Sequence, residues 1–240
     1  TWSEAEQQAL LLKYRLTFLS ETWVNWCEGL GTVLANDEVK DGRSERGNFP
    51  VEQKLMKQWS MRITAYAERL LEGLEQVEWN DSIKEIQRNW IGKSEGASLR
   101  FSVENSSEQI EVFTTRPDTI YGVTFMVLAP EHELVKSITI ASQKKEIESY
   151  CQKAALKSER DRQADVKSVT GAFTGAYAIH PFTNEKIPIW IGDYVLASYG
   201  TGAVMAVPCG DQRDWNFANK FGILVKNIFK DTDISEGAIE

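Results

Sequence analysis

Two threonines, an arginine and a Pro-Asp-Thr turn fall within one short stretch, Phe113-Thr114-Thr115-Arg116-Pro117-Asp118-Thr119. The apolar-alternating run Ile110 to Phe113 precedes it and follows the turn-like Asn105-Ser106-Ser107-Glu108, so it reads as a strand after a turn. That strand ends in hydroxyls and a guanidinium. Pro117 removes a backbone donor and sets a turn, which stops strand pairing there. The arrangement presents several hydrogen-bonding groups to one ligand. Arginine suits a phosphate or a carboxylate, either of which it grips with two parallel bonds.

A second stretch runs from Tyr199 to Trp215. Gly200-Thr201-Gly202 leads into the apolar Ala203 to Val207, and Pro208-Cys209-Gly210 closes that run. Asp211 then opens a predicted helix over Asp211 to Phe221. Asp211 and Asp214 are three residues apart, so both carboxylates can face one side of its first turn. A carboxylate there also serves as a helix cap, and for Asp211 both readings stand.

The elements that must position these groups change in texture along the chain. Ala5 to Phe18 carries apolar residues at helical spacing. Residues 23 to 50 hold glycines at 29, 31, 42 and 47, which predicts short strands and loops. Glu52 to Leu74 places Leu55, Trp59, Ile63, Tyr66, Leu70 and Leu74 near i, i+4 spacing and reads as a long helix. A short helix over Asp81 to Asn89 follows, with Asp81 near its cap. From about Gly92 short strands alternate with turns: a hairpin of Leu99 to Val103 with Ile110 to Phe113, then a buried strand over Tyr121 to Leu128. A helix-rich stretch from Glu131 to Leu156 precedes strands predicted at Ala176 to Ile179, Lys186 to Trp190 and Tyr194 to Ala197.

Composition narrows the class. A chain of 240 residues makes one or two domains, and 42% hydrophobic residues suffice for a core. A net charge of −8 argues against a generally basic nucleic-acid surface and leaves room for a local basic patch. Cys27, Cys151 and Cys209 are odd in number and widely spaced, which points to a reduced, intracellular protein. No signal peptide is evident, and no apolar run approaches membrane-spanning length. The start at Thr1 inside a helical pattern reads as that of an excised fragment. His132 and His180 read as structural or exposed groups, and Cys209, with no evident activating base, as packing.

The two stretches resemble the editing domain of leucyl-tRNA synthetase. The family's threonine-rich motif matches Thr114 to Thr119, and its aspartate motif matches Tyr199 to Asp214. Gln87-Arg88-Asn89-Trp90-Ile91-Gly92-Lys93-Ser94-Glu95-Gly96, Leu34-Ala35-Asn36-Asp37-Glu38-Val39 and Val51 to Leu71 also match, in order, over nearly the whole chain. Thr-Thr-Arg-Pro alone also fits the valyl enzyme. The Gln87 to Gly96 block and Met205-Ala206-Val207-Pro208 favour the leucyl type. Cys209-Gly210 departs from the Gly-His that many relatives carry before the first aspartate.

The resemblance implies a mixed α/β fold: a β-barrel-like editing domain with surrounding helices over 93–240, shortened at its C-terminal end. A mainly helical flank of the synthetase body over 1–92, with a remnant of the zinc module, precedes it. The implied reaction is hydrolysis of the ester of an isoleucyl, methionyl or norvalyl group on the 3′ terminal adenosine of leucine tRNA. Thr114 and Thr115 then contact the terminal ribose and the reacting carbonyl or water, and Arg116 holds the nucleotide. Asp214 pairs with the α-ammonium, and Asp211 helps shape the nucleotide site. Thr119, Tyr199 and Met205 line the amino-acid pocket, with Thr119 blocking leucine. This chain needs no cofactor; ATP and magnesium belong to the synthetic site of the full-length enzyme, whose His-rich and Lys-Met-Ser-Lys-Ser motifs are absent here. The implied setting is a cytoplasmic monomer with leucine tRNA as partner and no membrane. The other readings are a valyl-type editing domain and a module that binds the tRNA 3′ end without hydrolysis.

Many relatives carry a cysteine-rich zinc module after the counterpart of Asn25-Trp26-Cys27. Here Glu28-Gly29-Leu30 follows Cys27, and Gly42 to Gly47 holds no cysteine. Structural zinc needs four ligands, usually Cys or His. The chain is therefore expected to bind no stoichiometric zinc. Metal analysis of chelator-free protein checks this, and one equivalent lost on changing Cys27 contradicts it.

Overall fold

The computed structural model describes residues 2–155, 157, 162, 169–197 and 200–239. Along the chain come α1 (Glu4–Tyr14), β1 (Thr17–Cys27), β2 (Thr32–Leu34), β3 (Val39–Lys40), β4 (Arg43–Ser44) and β5 (Glu52–Met61). Then follow α2 (Ala67–Gly73), α3 (Asp81–Ile91), β6 (Ala97–Val103), β7 (Gln109–Thr114) and β8 (Phe125–Leu128). The remainder holds α4 (Leu134–Ile138), α5 (Lys144–Ala154), β9 (Ala172–Ile179), β10 (Lys186–Ile191), β11 (Ala203–Ala206) and α6 (Gln212–Phe221). Two compact units result: residues 1–26 with 53–95, and residues 27–52 with 96–240. Residues 27–52 thus cluster with the second unit, where the sequence placed them in the flank.

In the first unit, Ser3 and Glu6 cap α1 reciprocally: Glu6 N–H donates to Ser3 Oγ at 3.3 Å and Ser3 N–H to Glu6 Oε2 at 2.7 Å. The helix ends at Tyr14, short of the expected Phe18, because the β-branched and aromatic Thr17, Phe18, Trp23 and Val24 favour a strand. Glu52 to Leu74 also departs from the expected helix. It is strand β5, a 3-10 turn over Ile63–Tyr66 and the short α2. Leu55 and Trp59, four apart, share a face under a period of 2 as well as of 3.6, so the spacing could not decide. β1 and β5 are neighbours, and Ser20 Oγ meets Ser60 Oγ at 2.7 Å. Asn80 Oδ1, one residue before the expected Asp81, accepts from Ile83 N–H at 2.9 Å and caps α3. Few side chains of this unit are buried. Trp59, Ile63 and Trp90 stand 75%, 69% and 87% exposed, an apolar surface of the kind that marks contact sites.

The second unit holds a small cluster of Cys27, Leu34, Val39 and Val51, and a separate main core. That core belongs to a six-stranded sheet in the order β11-β8-β10-β9-β6-β7. The expected hairpin is present: β6 and β7 pair antiparallel, with Phe101 opposite Ile110 and Ala97 opposite Thr114. β10 runs parallel to β8, with Ile189 opposite Met126, and antiparallel to β9, with a register shift between Pro188 and Trp190, where Pro188 has no N–H to give. β11 pairs antiparallel with β8, with Met205 opposite Met126. The two edge strands, β11 and β7, also lie against each other, so the sheet nearly closes into a barrel. Every residue of β8 is fully buried, as expected of a strand covered on both faces.

Two expected strands are shorter or absent. Tyr121 and Gly122 end a 3-10 turn over Pro117–Gly122, and the strand begins only at Phe125. Tyr194 to Ala197 forms no ladder. The buried Arg162 takes one carbonyl of this segment, Nη2 donating to Val195 O at 2.7 Å, and the carbonyl just before it, Nε donating to Asp193 O at 2.5 Å, while Nη1 pairs with Glu131 at 2.7 Å.

Helix α6 seals one side of the core through Phe217, which is fully buried. Its ring lies 5.0 Å from Phe125, 4.6 Å from Phe221 and 5.6 Å from Trp190. Phe217→Ala is expected to cost about 3–5 kcal/mol through lost burial and the cavity left behind. Urea unfolding of the purified chain measures it, and a loss under about 1 kcal/mol contradicts this view of the core.

Candidate active site

The threonine-rich turn starts where β7 ends. Thr114 Oγ1 accepts from Arg116 N–H at 3.0 Å, which bends the chain out of the ladder. Pro117 then fixes the first position of the 3-10 turn. Arg116 grips Asp118 with two bonds, Nε to Oδ1 at 3.1 Å and Nη2 to Oδ2 at 2.9 Å. Hydrogen bonding to Arg116 holds the Asp118 carboxyl below its ordinary range. Both side chains are 63% exposed, so the pair contributes little to stability and can exchange for another anion. Thr115 is exposed. Thr119 is buried, and its hydroxyl donates to Arg116 O at 2.8 Å. The hydroxyl is thus committed to the turn.

The aspartate stretch follows β11. β11 ends at Ala206, and Gly210 N–H closes a turn on Val207 O at 2.9 Å. Asp211 caps α6: its Oδ1 accepts from Arg213 N–H at 2.8 Å and Asp214 N–H at 3.0 Å. Of the two readings open for Asp211, the cap is what its contacts describe. Asp214 is buried, and its Oδ2 accepts from Val207 N–H at 2.8 Å. Met205 is buried on β11 beside Met126 of β8. Tyr199 lies outside the described residues.

Gly122 joins the two stretches. A Cβ there would lie 2.9 Å from Val207 Cγ1 and 3.2 Å from Cys209 Sγ, so only glycine permits this approach. Thr124 N–H donates to Ala206 O at 3.2 Å just beyond it. The end of the threonine turn thus packs on the segment between β11 and Asp214. Cys209 is fully buried in that contact, consistent with packing.

Asp214 has no ion-pair partner among the described residues. Burial, and then the neighbouring Asp211 charge, push its carboxyl up to about 7; the Val207 N–H and Arg213 pull the other way. Tyr194, expected from the sequence only as the start of a strand, is half-buried against this helix, its ring 5.9 Å from that of Phe217. Arg213 lies over its ring at 5.6 Å, and its hydroxyl has no partner of normal hydrogen-bond geometry among the described residues. Burial and then the Asp214 charge hold that hydroxyl well above its ordinary value. A mere run of Tyr-Val-Leu-Ala carries no signal for such a role.

Both histidines are held by backbone partners. His132 Nδ1 accepts from Leu134 N–H at 3.2 Å, and burial lowers its pKa. His180 is buried and fully hydrogen-bonded. A groove of about 750 Å³ lined by Phe173, Tyr177, Trp190 and Phe221 touches none of the residues singled out from the sequence. Among the described residues no three metal-ligating side chains converge, and Cys27 sits among Leu34, Val39 and Val51, an environment that does not fit zinc. No helix among them is long and apolar enough to cross a membrane.

A nearly closed mixed sheet thus carries a threonine turn and a buried aspartate. The family described as leucyl-tRNA synthetase, editing domain, matches residues 88–239. A leucine–tRNA ligase of Flavobacterium johnsoniae is 65% identical across 99% of this chain and 26% of its own length. That of Christiangramia forsetii is 63% identical across 98% of this chain and 24% of its own. The agnB2 leucyl-tRNA synthetase of Agrobacterium radiobacter, solved as a ternary complex with tRNA and LeuAMS, superposes with a TM-score of 0.72 at 38% identity, over 98% of this chain and 29% of that one. This chain belongs to the leucyl-tRNA synthetase editing-domain family, and it spans about a quarter of the curated relatives' length.

The pKa of Asp214 yields a stability test. An unfolded aspartate titrates near 3.9, whereas folded Asp214 titrates at about 7. Between these values the folded state keeps a proton that the unfolded state has released, so stability falls as pH rises through that window. Asp214→Asn retains an acceptor for Val207 and abolishes the titration. The variant should equal wild type near pH 4 and exceed it by a few kcal/mol above pH 7. Urea unfolding at both pH values measures this, and parallel pH profiles contradict it.

Proposed function

We propose that this chain is the proofreading part of a leucine–tRNA ligase and hydrolyses the ester of a wrong amino acid on leucine tRNA. One observation carries the reading: a buried carboxylate, Asp214, has no ion-pair partner among the described residues and is bonded to Val207, which packs at Gly122, three residues past Thr119. A buried carboxylate lacking a cation is costly, and a substrate ammonium would relieve that cost. An aminoacyl ester supplies such an ammonium next to the bond to be cut.

The ester is already reactive, so the site needs to bind it, place a water and stabilise the developing oxyanion. The Thr114 and Thr115 hydroxyls serve the ribose and the reacting carbonyl or water. Arg116 exchanges Asp118 for the anionic backbone of the terminal nucleotide. The Thr119 methyl faces the side chain and, with Met205 and Tyr199, excludes leucine while admitting isoleucine, methionine or norvaline. A hydrophobic synthetic pocket separates side chains differing by one methylene by only about 1–3 kcal/mol, so a second pocket of opposite preference adds what the first lacks. In this reading ATP and magnesium serve a synthetic site outside this chain, the setting is a cytoplasmic monomer, and leucine tRNA is the partner.

Deacylation assays on the full-length protein carrying this chain test the proposal. Wild type should hydrolyse norvalyl-tRNA, and Asp214→Ala should abolish this while leaving leucine activation intact. Persistence of near wild-type deacylation in Asp214→Ala overturns the ammonium role, and failure of wild type on isoleucyl, methionyl and norvalyl esters leaves the end-binding reading.

The roles of the two Thr119 groups separate by substitution. Thr119→Ala should hydrolyse correctly charged leucyl-tRNA, whereas Thr119→Val, which keeps the bulk and loses the turn bond, should still spare it. Equal sparing of leucyl-tRNA by both folded variants contradicts the steric filter.

A further inference from the structure

We infer that His180 is a positioning residue for specificity: it holds the turn that carries Thr119 through a hydrogen bond to Ile120 O. His180 follows β9 and is 1% exposed. Its Nδ1 accepts from Phe182 N–H and Thr183 N–H, both at 3.1 Å, so that nitrogen carries no hydrogen. Nε2 is then the protonated nitrogen of the neutral ring and donates to Ile120 O at 3.0 Å. The ring cannot swing away. Phe101 meets it edge-on at 6.2 Å and Tyr121 stacks on it at 6.0 Å.

Ile120 is the residue after Thr119, inside the same 3-10 turn. Thr119 is fixed from the other side by its bonds to Arg116 O. The filter residue is therefore held by one local contact and by one residue sixty positions away in sequence. Ile120 O also accepts from Val123 N–H at 3.1 Å, so a shift of this carbonyl moves the exit of the turn toward the tight contact at Gly122. A wall that discriminates by a single methylene needs its backbone fixed to a fraction of an ångström, and the histidine supplies that restraint without touching substrate.

The catalytic consequence rests on the editing reading; the restraint does not. Two isosteres separate the ends of the ring. Asparagine puts an acceptor where Nδ1 stands and has no donor that reaches Ile120. Glutamine puts a donor where Nε2 stands and gives up the acceptor for Phe182 and Thr183. In the full-length protein, His180→Asn should raise hydrogen exchange in the peptide spanning 117–123 and leave the 180–185 turn protected. It should also lower the ratio of norvalyl- to leucyl-tRNA deacylation about tenfold, the scale of one buried hydrogen bond left unmade. His180→Gln should do the reverse, exposing the 180–185 turn while keeping the ratio. Wild-type exchange over 117–123 in His180→Asn overturns the restraint, and altered exchange with an unchanged ratio overturns its role in specificity. If wild type cleaves neither ester, the editing reading fails and exchange alone decides whether His180 holds the turn.

Discussion

The contact between the Asp214 carboxylate and the Val207 N–H sets the terms for everything around the site. It ties the first turn of α6 to the exit of β11, and it keeps a titratable group out of water. One backbone hydrogen bond offsets only part of the desolvation cost, so the carboxyl titrates near neutrality. The rest of the cost is offset by packing. Phe217, on the same helix, locks against Phe125, Trp190 and Phe221 and prevents α6 from lifting to rehydrate the group.

Near-closure of the barrel converts two distant stretches of chain into one site. The hairpin carries the threonine turn to one edge of the sheet, and pairing of β11 with β8 carries the aspartate stretch to the other. Contact of those edges brings them together, and Gly122 sets how near they come. No cation beyond Arg116 and Arg213 is supplied by either stretch, and both have local partners: Asp118 for one, the Tyr194 ring for the other.

Local features of this site were legible in the sequence. The Thr-Thr-Arg-Pro turn, the Asp211 cap and the hairpin before them depend on residues a few positions apart, so their types and order suffice. Features set by distant packing were not. The burial of Asp214 depends on α6 docking through Phe217, and nothing in Asp-Gln-Arg-Asp distinguishes it from an exposed pair. His180 reads as structural, and so it is, yet its partner Ile120 is visible only in three dimensions. Two of the misread segments fail for separate reasons: i, i+4 spacing fits both periods at Leu55 and Trp59, and Tyr194 to Ala197 looks like a strand in which Arg162 has taken the Val195 carbonyl. Tyr199, outside the described residues, has no structural counterpart to compare.

In the proposed reading, the buried Asp214 carboxylate receives the ammonium of the substrate. Carboxyl carbon NMR of the chain, with Asp214 assigned by its loss in the Asn variant, reads that group directly. Titration alone and with a non-hydrolysable norvalyl-amide analogue of the terminal adenosine is the decisive comparison. The account predicts a free carboxyl titrating near 7 that returns to the ordinary carboxylate range when the analogue's ammonium binds. An ordinary value in the free chain, or a raised value that the bound analogue leaves in place, contradicts it.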